Sequence, residues 1–454
     1  MGAFEKIYDL SPIFFQNIMV SLKGHLNSRQ RYGRAYKEYR AFLQDYDTWS
    51  IEKKLQYQQD ELIAFVRFAF EKSAFYNELY KNIDIESIRS VEDLKRLPVL
   101  EKEMLRQNID TVQTYPDEPC LFSNTGGTTG KSLQVAMTHA DMMRRMAMLD
   151  HFKSKVGFEH RKMRRATFNG KHIVPPKQTK KCFWRYNASC KQKIYSSFHI
   201  TEENMKYYVE DLNKFKPHAL DGFFTSMCDI AGYIERHNIQ LAFTPVAIFP
   251  TSETLTAEGR ALLERVFGCK VYNQYASSEG APFVNDCIHQ QLHVELASGV
   301  FETYGDNNEV LVTSFTTRAT PLIRYRIGDC MVFDYDTKCP CGNNLPIVRR
   351  IEGRKLDFLY NAQGAKINAG NVSNILKYLP NVVIHSRFVQ DKKEEVTLLL
   401  EVDEALYKIE YEDLIRQEFA HTFGHDTRLI ISYVDEISRE VSGKYRMIKN
   451  NVEE

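Results

Sequence analysis

The chain has 454 residues, of which 43% are hydrophobic and 26% are charged, and its 60 basic and 59 acidic side chains nearly cancel. This length favours two or three domains, the composition is typical of a soluble globular protein, and the balanced charge argues against a nucleic-acid binder. No apolar run of about 18 residues predicts a transmembrane helix, and nine scattered cysteines are more typical of a reducing compartment than of disulfides, so we expect a cytoplasmic protein.

Residues 1–95 are predicted to form a helical segment at the start of a large domain. Apolar residues recur at helical spacing in residues 36–43 and 62–70, and Ser50 is a suitable residue to begin a helix. The apolar stretch at residues 10–20 could contact a membrane surface, but a helix packed on the body of the protein is the favoured interpretation.

Residues 96–356 are predicted to form the core of the large domain. Short β-rich runs alternate there with helical patterns, which indicates an α/β architecture with mixed sheets. The predicted strands are 133–137, 219–224, 246–249, 270–275 and 309–315, and the predicted helices are 203–215 and 257–267.

Residues 357–454 are predicted to form a separate, small α+β domain. Three strand patterns surround one long helical pattern in this part of the chain. The predicted strands are 382–389, 395–402 and 428–434, and the predicted helix is 405–423.

A loop rich in glycine and threonine, Ser-Asn-Thr-Gly-Gly-Thr-Thr-Gly-Lys-Ser at residues 123–132, is suited to phosphate binding. Glycines let backbone N–H groups face an anion, while hydroxyls and the lysine add donors and charge. A Walker A loop would need glycine where Thr125 stands and a helix afterwards, whereas a strand pattern follows. A flexible surface hairpin is the other interpretation.

The loop resembles the phosphate-binding loop of the adenylate-forming superfamily, which includes acyl-CoA synthetases, luciferases and peptide-synthetase adenylation domains. Gly126 and Ser132 depart from its usual pattern. Further segments resemble the other boxes of that superfamily, in the same order. They are residues 272–280 (YNQYASSEG), 324–329 (RYRIGD), 353–357 (GRKLD, with Leu356 in place of an acid) and 441–446 (VSGKYR).

The resemblance implies a binding site for ATP or AMP with Mg²⁺, and a role for each matching residue. Lys444 would contact the carboxylate and α-phosphate, Ser278 the phosphate, and Glu279 would hold Mg²⁺. Asp329 would bind the ribose hydroxyls. The remaining nucleotide-binding positions would be Thr125, Gly126, Gly127, Thr128, Thr129, Gly130, Lys131, Ser252, Glu253, Tyr275, Ala276, Ser277 and Arg354.

The resemblance also implies a reaction, in which a carboxylic acid is activated as acyl-AMP and then passed to a thiol such as coenzyme A. A small C-terminal domain that moves about residues 353–357 is expected. Residues 8–17, 183–187 and 321–329 are most similar to the phenylacetate–CoA ligase-like branch, particularly members from capsular-polysaccharide gene clusters. An amine or sugar acceptor, a non-catalytic nucleotide-binding subunit, and a homodimer through the N-terminal helices remain alternatives.

A Cys-Pro-Cys turn at Cys339 and Cys341, with Cys287 upstream, suggests a metal site, because thiolates and imidazole suit tetrahedral Zn²⁺. Two free thiols in a loop are the alternative. The resemblance implies a structural zinc held by Cys287, His293, Cys339 and Cys341, with His289 as the other candidate histidine.

Overall fold

The computed structural model describes residues 3–115, 119–124, 133–171, 173–175, 180–354, 358–362, 366–368, 372, 374–376, 378–379, 382–439 and 446–452. Among these residues, no helix is both long enough and apolar enough to cross a bilayer.

Helices dominate residues 3–112, so the helical part of the chain continues past residue 95, where the predicted helical segment ends. Ser50 begins the longest of them, and its hydroxyl accepts a hydrogen bond from the backbone N–H of Lys53. Leu62, Phe65 and Ala69 line the face of that helix that packs into the core of the large domain. The helices are α1 Ala3–Leu10, α2 Ile13–Arg31, α3 Arg34–Tyr46, α4 Ile51–Lys72, α5 Ala74–Leu79, α6 Lys102–Gln107 and α7 Ile109–Val112.

A mainly parallel sheet with helices forms one part of the large domain. Its strands, in spatial order, are β4 Trp184–Asn187, β5 Gln192–Ser196, β3 Arg165–Asn169, β6 Ala219–Phe223 and β7 Ala247–Thr251. Its helices are α8 His139–Lys155, α9 Glu202–Phe215, α10 Phe224–Arg236 and α11 Ala257–Phe267. Gly222 lets β6 approach β3, because a Cβ there would lie 1.8 Å from the carbonyl oxygen of Phe168.

An antiparallel sheet forms the other part of the large domain, beside the hairpin of β1 Leu121–Asn124 and β2 Gln134–Met137. Its strands, in spatial order, are β11 Gly299–Tyr304, β12 Glu309–Ser314, β13 Leu322–Asp334, β14 Ile347–Arg354, β10 Leu292–Val294, β9 Val284–Asp286 and β8 Gln274–Tyr275. The strand predicted at 270–275 is mostly wrong. Val271 makes an isolated bridge to Ile248 of the parallel sheet, and the chain then crosses to the antiparallel sheet at Gln274.

The small domain is an α+β unit with its own core around Phe388, Leu398 and Phe419. Its helix begins at Tyr411, six residues later than predicted, because the Asp403 side chain accepts from the backbone N–H of Ala405 and holds a turn. The elements are β15 Phe358–Tyr360, β16 Lys366–Asn368, β17 Val383–Lys392, β18 Glu395–Val402, α12 Tyr411–Phe423, β19 Arg428–Tyr433 and β20 Ile448–Asn450.

Candidate active site and metal cluster

Tyr275 and Asp329, which the sequence places far apart, meet at the antiparallel sheet. The Tyr275 hydroxyl donates to a carboxylate oxygen of Asp329 at 2.6 Å. Asp329 lies on β13 directly opposite Arg354 of β14 in the strand register. The structure therefore brings together the backbone positions of three predicted nucleotide-binding residues, although the Arg354 side chain lies outside the described part of the chain.

The turn at residues 277–281 presents Glu279 and is held from behind by a buried arginine. The Ser277 hydroxyl accepts from the backbone N–H groups of Gly280 and Ala281 at 3.2 and 3.0 Å. Arg145 of α8 donates to the carbonyl oxygens of Gly280 and Ala281 at 2.9 and 3.0 Å. Gly280 has a φ of 103°, which favours glycine. The turn therefore has little freedom.

Arg145 is buried, and its guanidinium also donates to Thr316 at 2.9 Å and lies over the Phe283 ring. Burial lowers the pKa of Arg145 to about 10, so the group still carries its charge at neutral pH. Arg145 belongs to no motif, and of its acceptors only Gly280 lies in the box at residues 272–280, so the sequence offered no signal that an arginine of α8 supports this turn.

Glu279 is a buried carboxylate with one oxygen that accepts no hydrogen bond from the described residues. It is 3% exposed, and its Oε1 atom has no hydrogen-bond partner among the described residues. The ammonium of Lys102 on α6 lies 3.6 Å from that oxygen. A buried, incompletely paired carboxylate is costly unless a cation completes it, so this oxygen is suited to a hard metal ion.

The remaining predicted site residues have mixed outcomes. Ala276 and Ser278 are exposed next to Tyr275. Ser252 has a φ of 67°, and the Glu253 carboxylate accepts from the backbone and hydroxyl of Thr225 at the start of α10. The structure thus uses Glu253 to cap a helix. Lys444 and the loop residues Thr125, Gly126, Gly127, Thr128, Thr129, Gly130 and Lys131 lie outside the described residues.

Cys287, His293, Cys339 and Cys341 form one cluster, with all ligand atoms within 4.8 Å of one another. The sulfurs of Cys287 and Cys339 lie 3.6 Å apart, and the Cys341 sulfur lies 3.6 Å from Nε2 of His293. Tetrahedral zinc with ordinary bond lengths requires about 3.8 Å between two sulfurs and about 3.6 Å between sulfur and nitrogen. The observed separations fit that geometry.

His293 rather than His289 completes the cluster. The Nδ1 atom of His293 is 3.0 Å from the carbonyl oxygen of Leu345, so Nδ1–H donates there and Nε2 faces the sulfurs. His289 is exposed, and it contributes its backbone N–H to the Cys287 sulfur. The Asn343 backbone N–H faces the Cys341 sulfur in the same way, at 3.4 Å.

A cluster of charged side chains, here called the interface cluster, joins the two domains at α10. Asp229 of α10 lies 3.1 Å from Nε2 of His385 on β17 and 2.5 Å from the guanidinium of Arg439. On its other side, His385 lies 3.0 Å from Glu401 of β18. The large domain contributes Asp229, whereas the small domain contributes His385, Arg439 and Glu401.

Electrostatics make this contact sensitive to pH. Burial by itself would lower the pKa of His385, but Asp229 and Glu401 outweigh it and raise that pKa to about 9. Burial would raise the pKa of Asp229, but His385 and Arg439 hold it below its usual value. At neutral pH the protonated His385 side chain therefore forms ion pairs with the carboxylates of Asp229 and Glu401.

We expect docking of the small domain to weaken as the pH rises. Asp229 faces His385 only in the docked state, whereas Glu401 belongs to the small domain and stays beside it in both states. The pairing of protonated His385 with Asp229 therefore stabilises docking at lower pH, and that contribution is lost as the pH rises through about 9. Small-angle scattering should show the protein expanding across this range. His385→Gln should remove the pH dependence, whereas His237→Gln, which changes an exposed histidine at the end of α10, should keep it. An unchanged pH profile in His385→Gln would contradict this role.

Comparisons with known proteins find relatives that match almost the whole chain. Residues 359–451 match the family model described as the CapK C-terminal domain. Protein CapK of Staphylococcus aureus is 37% identical over 458 residues, covering 98% of this chain and 99% of that protein. Phenylacetate-coenzyme A ligase of Thermus thermophilus is 23% identical over 399 residues, covering 80% and 84% of the two chains.

Solved structures show the same fold. A 2-hydroxyisobutyryl-CoA ligase in the postadenylation state, bound to R3-HIB-AMP, matches with a TM-score of 0.72 and 17% identity. The match covers 89% of this chain and 90% of that one. The predicted architecture, a large domain with mixed sheets and helices and a small C-terminal α+β domain, is confirmed.

Proposed function

Because the chain belongs to the CapK family within the adenylate-forming superfamily, we propose that it activates a carboxylic acid as acyl-AMP and releases pyrophosphate. A thiol such as that of coenzyme A then attacks the acyl carbon, which forms a thioester and releases AMP. The observation that carries this proposal is the pairing of Tyr275 with Asp329 beside the buried, incompletely paired Glu279.

Asp329 and Tyr275 hold the nucleoside in this proposal. A carboxylate accepts from both hydroxyls of a ribose, as in other nucleotide sites. The hydrogen bond from Tyr275 fixes the position of that carboxylate, and the Tyr275 ring offers a face for the purine. Ser278, Ala276 and Ser277 follow on the same turn, within reach of the phosphates.

Glu279 holds Mg²⁺, which would neutralise phosphate charge when ATP is bound. The buried Oε1 atom of Glu279, which has no hydrogen-bond partner among the described residues, supports this assignment, and Lys102 at 3.6 Å adds a second cation. The loop at residues 125–131 supplies backbone N–H groups and the Lys131 charge to the phosphates, and Arg354 reaches the ribose or phosphate. Ser252 and Glu253 line the nucleotide pocket through their backbone.

Coenzyme A is the acceptor that the relatives favour. The Thermus thermophilus relative is named a phenylacetate-coenzyme A ligase, and the solved structure is a CoA ligase. An amine or a sugar, as polysaccharide assembly would require, is the alternative acceptor within the same chemistry. Either acceptor would attack the same acyl-AMP.

A panel of aryl acids, fatty acids, amino acids and uronic acids should identify the acid through ATP-dependent pyrophosphate release. We expect release with one class, and a loss of at least about 100-fold in Asp329→Ala, because positioned charge contributes effects of that order. Asp336→Ala, which changes an aspartate in the turn after β13, is the matched control and should retain activity. ATP binding without release from any acid would favour a non-catalytic nucleotide-binding subunit.

Lys444 serves the first half-reaction in this proposal, because a cation beside the α-phosphate offsets the charge that develops there. Lys444→Ala should therefore slow adenylation more than transfer from a supplied acyl-AMP, by about 100-fold or more. Lys449→Ala, on β20, is the control. Equal loss of both half-reactions would contradict this role.

The cysteine–histidine cluster is proposed as a structural zinc site. All four tetrahedral positions would be filled by protein, so no position is left for substrate or water. The cluster lies at the end of β9, after the turn that presents Glu279, and joins it to the segment between β13 and β14. Zinc here would fix the edge of the antiparallel sheet.

Elemental analysis should find one Zn²⁺ per chain. His293→Ala should lower zinc occupancy by at least about tenfold and lower the melting temperature. His289→Ala should keep both, because the exposed His289 ring is not part of the cluster. Protein without zinc, or equal effects of the two substitutions, would overturn the site.

A further inference from the structure

Helix α2 lies along one edge of the parallel sheet and faces it with polar side chains. Strand β4 is the edge strand of that sheet. The Asn17 side chain accepts from the backbone N–H of Tyr186 at 2.9 Å. The Ser21 hydroxyl accepts from the backbone N–H of Ala188 at 3.0 Å and donates to the carbonyl oxygen of Tyr186 at 3.2 Å. These contacts satisfy backbone groups that an edge strand leaves open.

Two further contacts fix the orientation of α2. The buried Gln16 accepts from the Arg185 guanidinium at 2.5 Å, and the buried Ser28 lies against Cys190. At Gly24 the helix comes so close that a Cβ would lie 2.4 Å from the Asn187 side chain. The prediction of a helix packed on the body is therefore confirmed, but the packed face is the polar one.

The outward face of α2 is consequently apolar, which reverses the usual arrangement of a surface helix. Its large apolar side chains are between 47% and 68% exposed. They recur mostly every four residues, so they form one stripe along the helix. They are Phe14, Phe15, Ile18, Leu22 and Leu26, and α1 adds the exposed Ile7 and Leu10.

Charge distinguishes between the possible partners of this stripe. Residues 13–31 of α2 contain Lys23, Arg29 and Arg31 but no aspartate or glutamate, and α1 adds Glu5, Lys6 and Asp9. The two helices therefore keep a basic excess, in a chain whose overall charge is +1. Lys23 and Arg29 are exposed near the stripe. A second copy of α2 would bring cations against cations, whereas an anionic lipid surface is complementary to them.

We propose that α2 binds the surface of an anionic membrane. Phe14, Phe15, Ile18 and Leu22 enter the boundary between headgroups and acyl chains, while Lys23 and Arg29 contact the headgroups. Phenylalanine and leucine on one face with lysine and arginine beside them are typical of helices that lie in the membrane interface. Because the polar face is already bonded to β4, α2 binds as a preformed ridge and holds the large domain at the bilayer.

Vesicle co-sedimentation of the full-length protein tests this proposal, with vesicles of phosphatidylcholine alone or of phosphatidylcholine mixed with phosphatidylserine. We expect binding to the anionic vesicles that weakens with salt. The triple substitution Phe14→Ser, Ile18→Ser and Leu22→Ser should reduce binding at least about tenfold, because it removes most of the inserted apolar surface. Lys23→Gln with Arg29→Gln should remove the preference for anionic vesicles.

The triple substitution Leu406→Ser, Ile409→Ser and Leu414→Ser is the matched control, since these side chains are exposed on the small domain. It should bind as the unsubstituted protein does, and all variants should keep the same circular dichroism spectrum. Failure to sediment with either kind of vesicle would overturn the proposal. So would a dimer, measured by light scattering, that the α2 triple substitution converts to a monomer.

Discussion

The candidate active site depends on the hydrogen bonds that the buried guanidinium of Arg145 donates. It ties α8 to the turn at residues 277–281 through the carbonyl oxygens of Gly280 and Ala281 and the hydroxyl of Thr316. Burying a charge is costly unless its donors are paired, so this geometry is stable only when the turn is in place. The position of this turn determines where Glu279 lies. Tyr275, which precedes the turn in the same segment, reaches Asp329 through its hydroxyl.

In the part of the chain that the structure describes, the two domains meet through charged side chains, and the apolar core of the small domain is separate from the cores of the large domain. Asp229 enters from α10 and pairs with His385 and Arg439 of the small domain. Arg236, two helical turns further along α10, lies 2.7 Å from Glu202 and 3.5 Å from Asp403. Ion pairs separate into water at a smaller cost than a large apolar interface does, so such a contact is compatible with the domain movement that the resemblance implies.

The surface of the large domain combines this charged contact with a second, different one at α2. There, polar side chains of α2 hydrogen-bond to the edge of the parallel sheet, and the apolar side chains of α2 are exposed to solvent. The two surfaces are built from different elements, α10 and α2. Domain movement and attachment to a membrane surface would therefore not compete for the same residues.

The sequence alone determined the family, the α/β character of the large domain and most of the regular elements. It also named Cys287, Cys339 and Cys341 as candidate metal ligands, because thiolates suit tetrahedral Zn²⁺. Local periodicity reports which residues form a helix or strand, so α11 and β18 were predicted with their observed bounds. Local patterns failed where a side chain competed with the backbone, as Asp403 does before α12.

Only the tertiary structure decided which residues support the site and which way α2 faces. Arg145, Lys102 and Thr225 act through partners more than 25 residues away, and no local pattern records such contacts. The hydrogen bond of His293 to the carbonyl oxygen of Leu345, 52 positions away in the chain, distinguishes it from His289 as the candidate ligand. The apolar stretch at residues 10–20 predicted a helix packed on the body but could not show that the polar face of that helix would bond to a sheet edge. Periodicity fixes the two faces of a helix, whereas the neighbouring element determines which of them is buried.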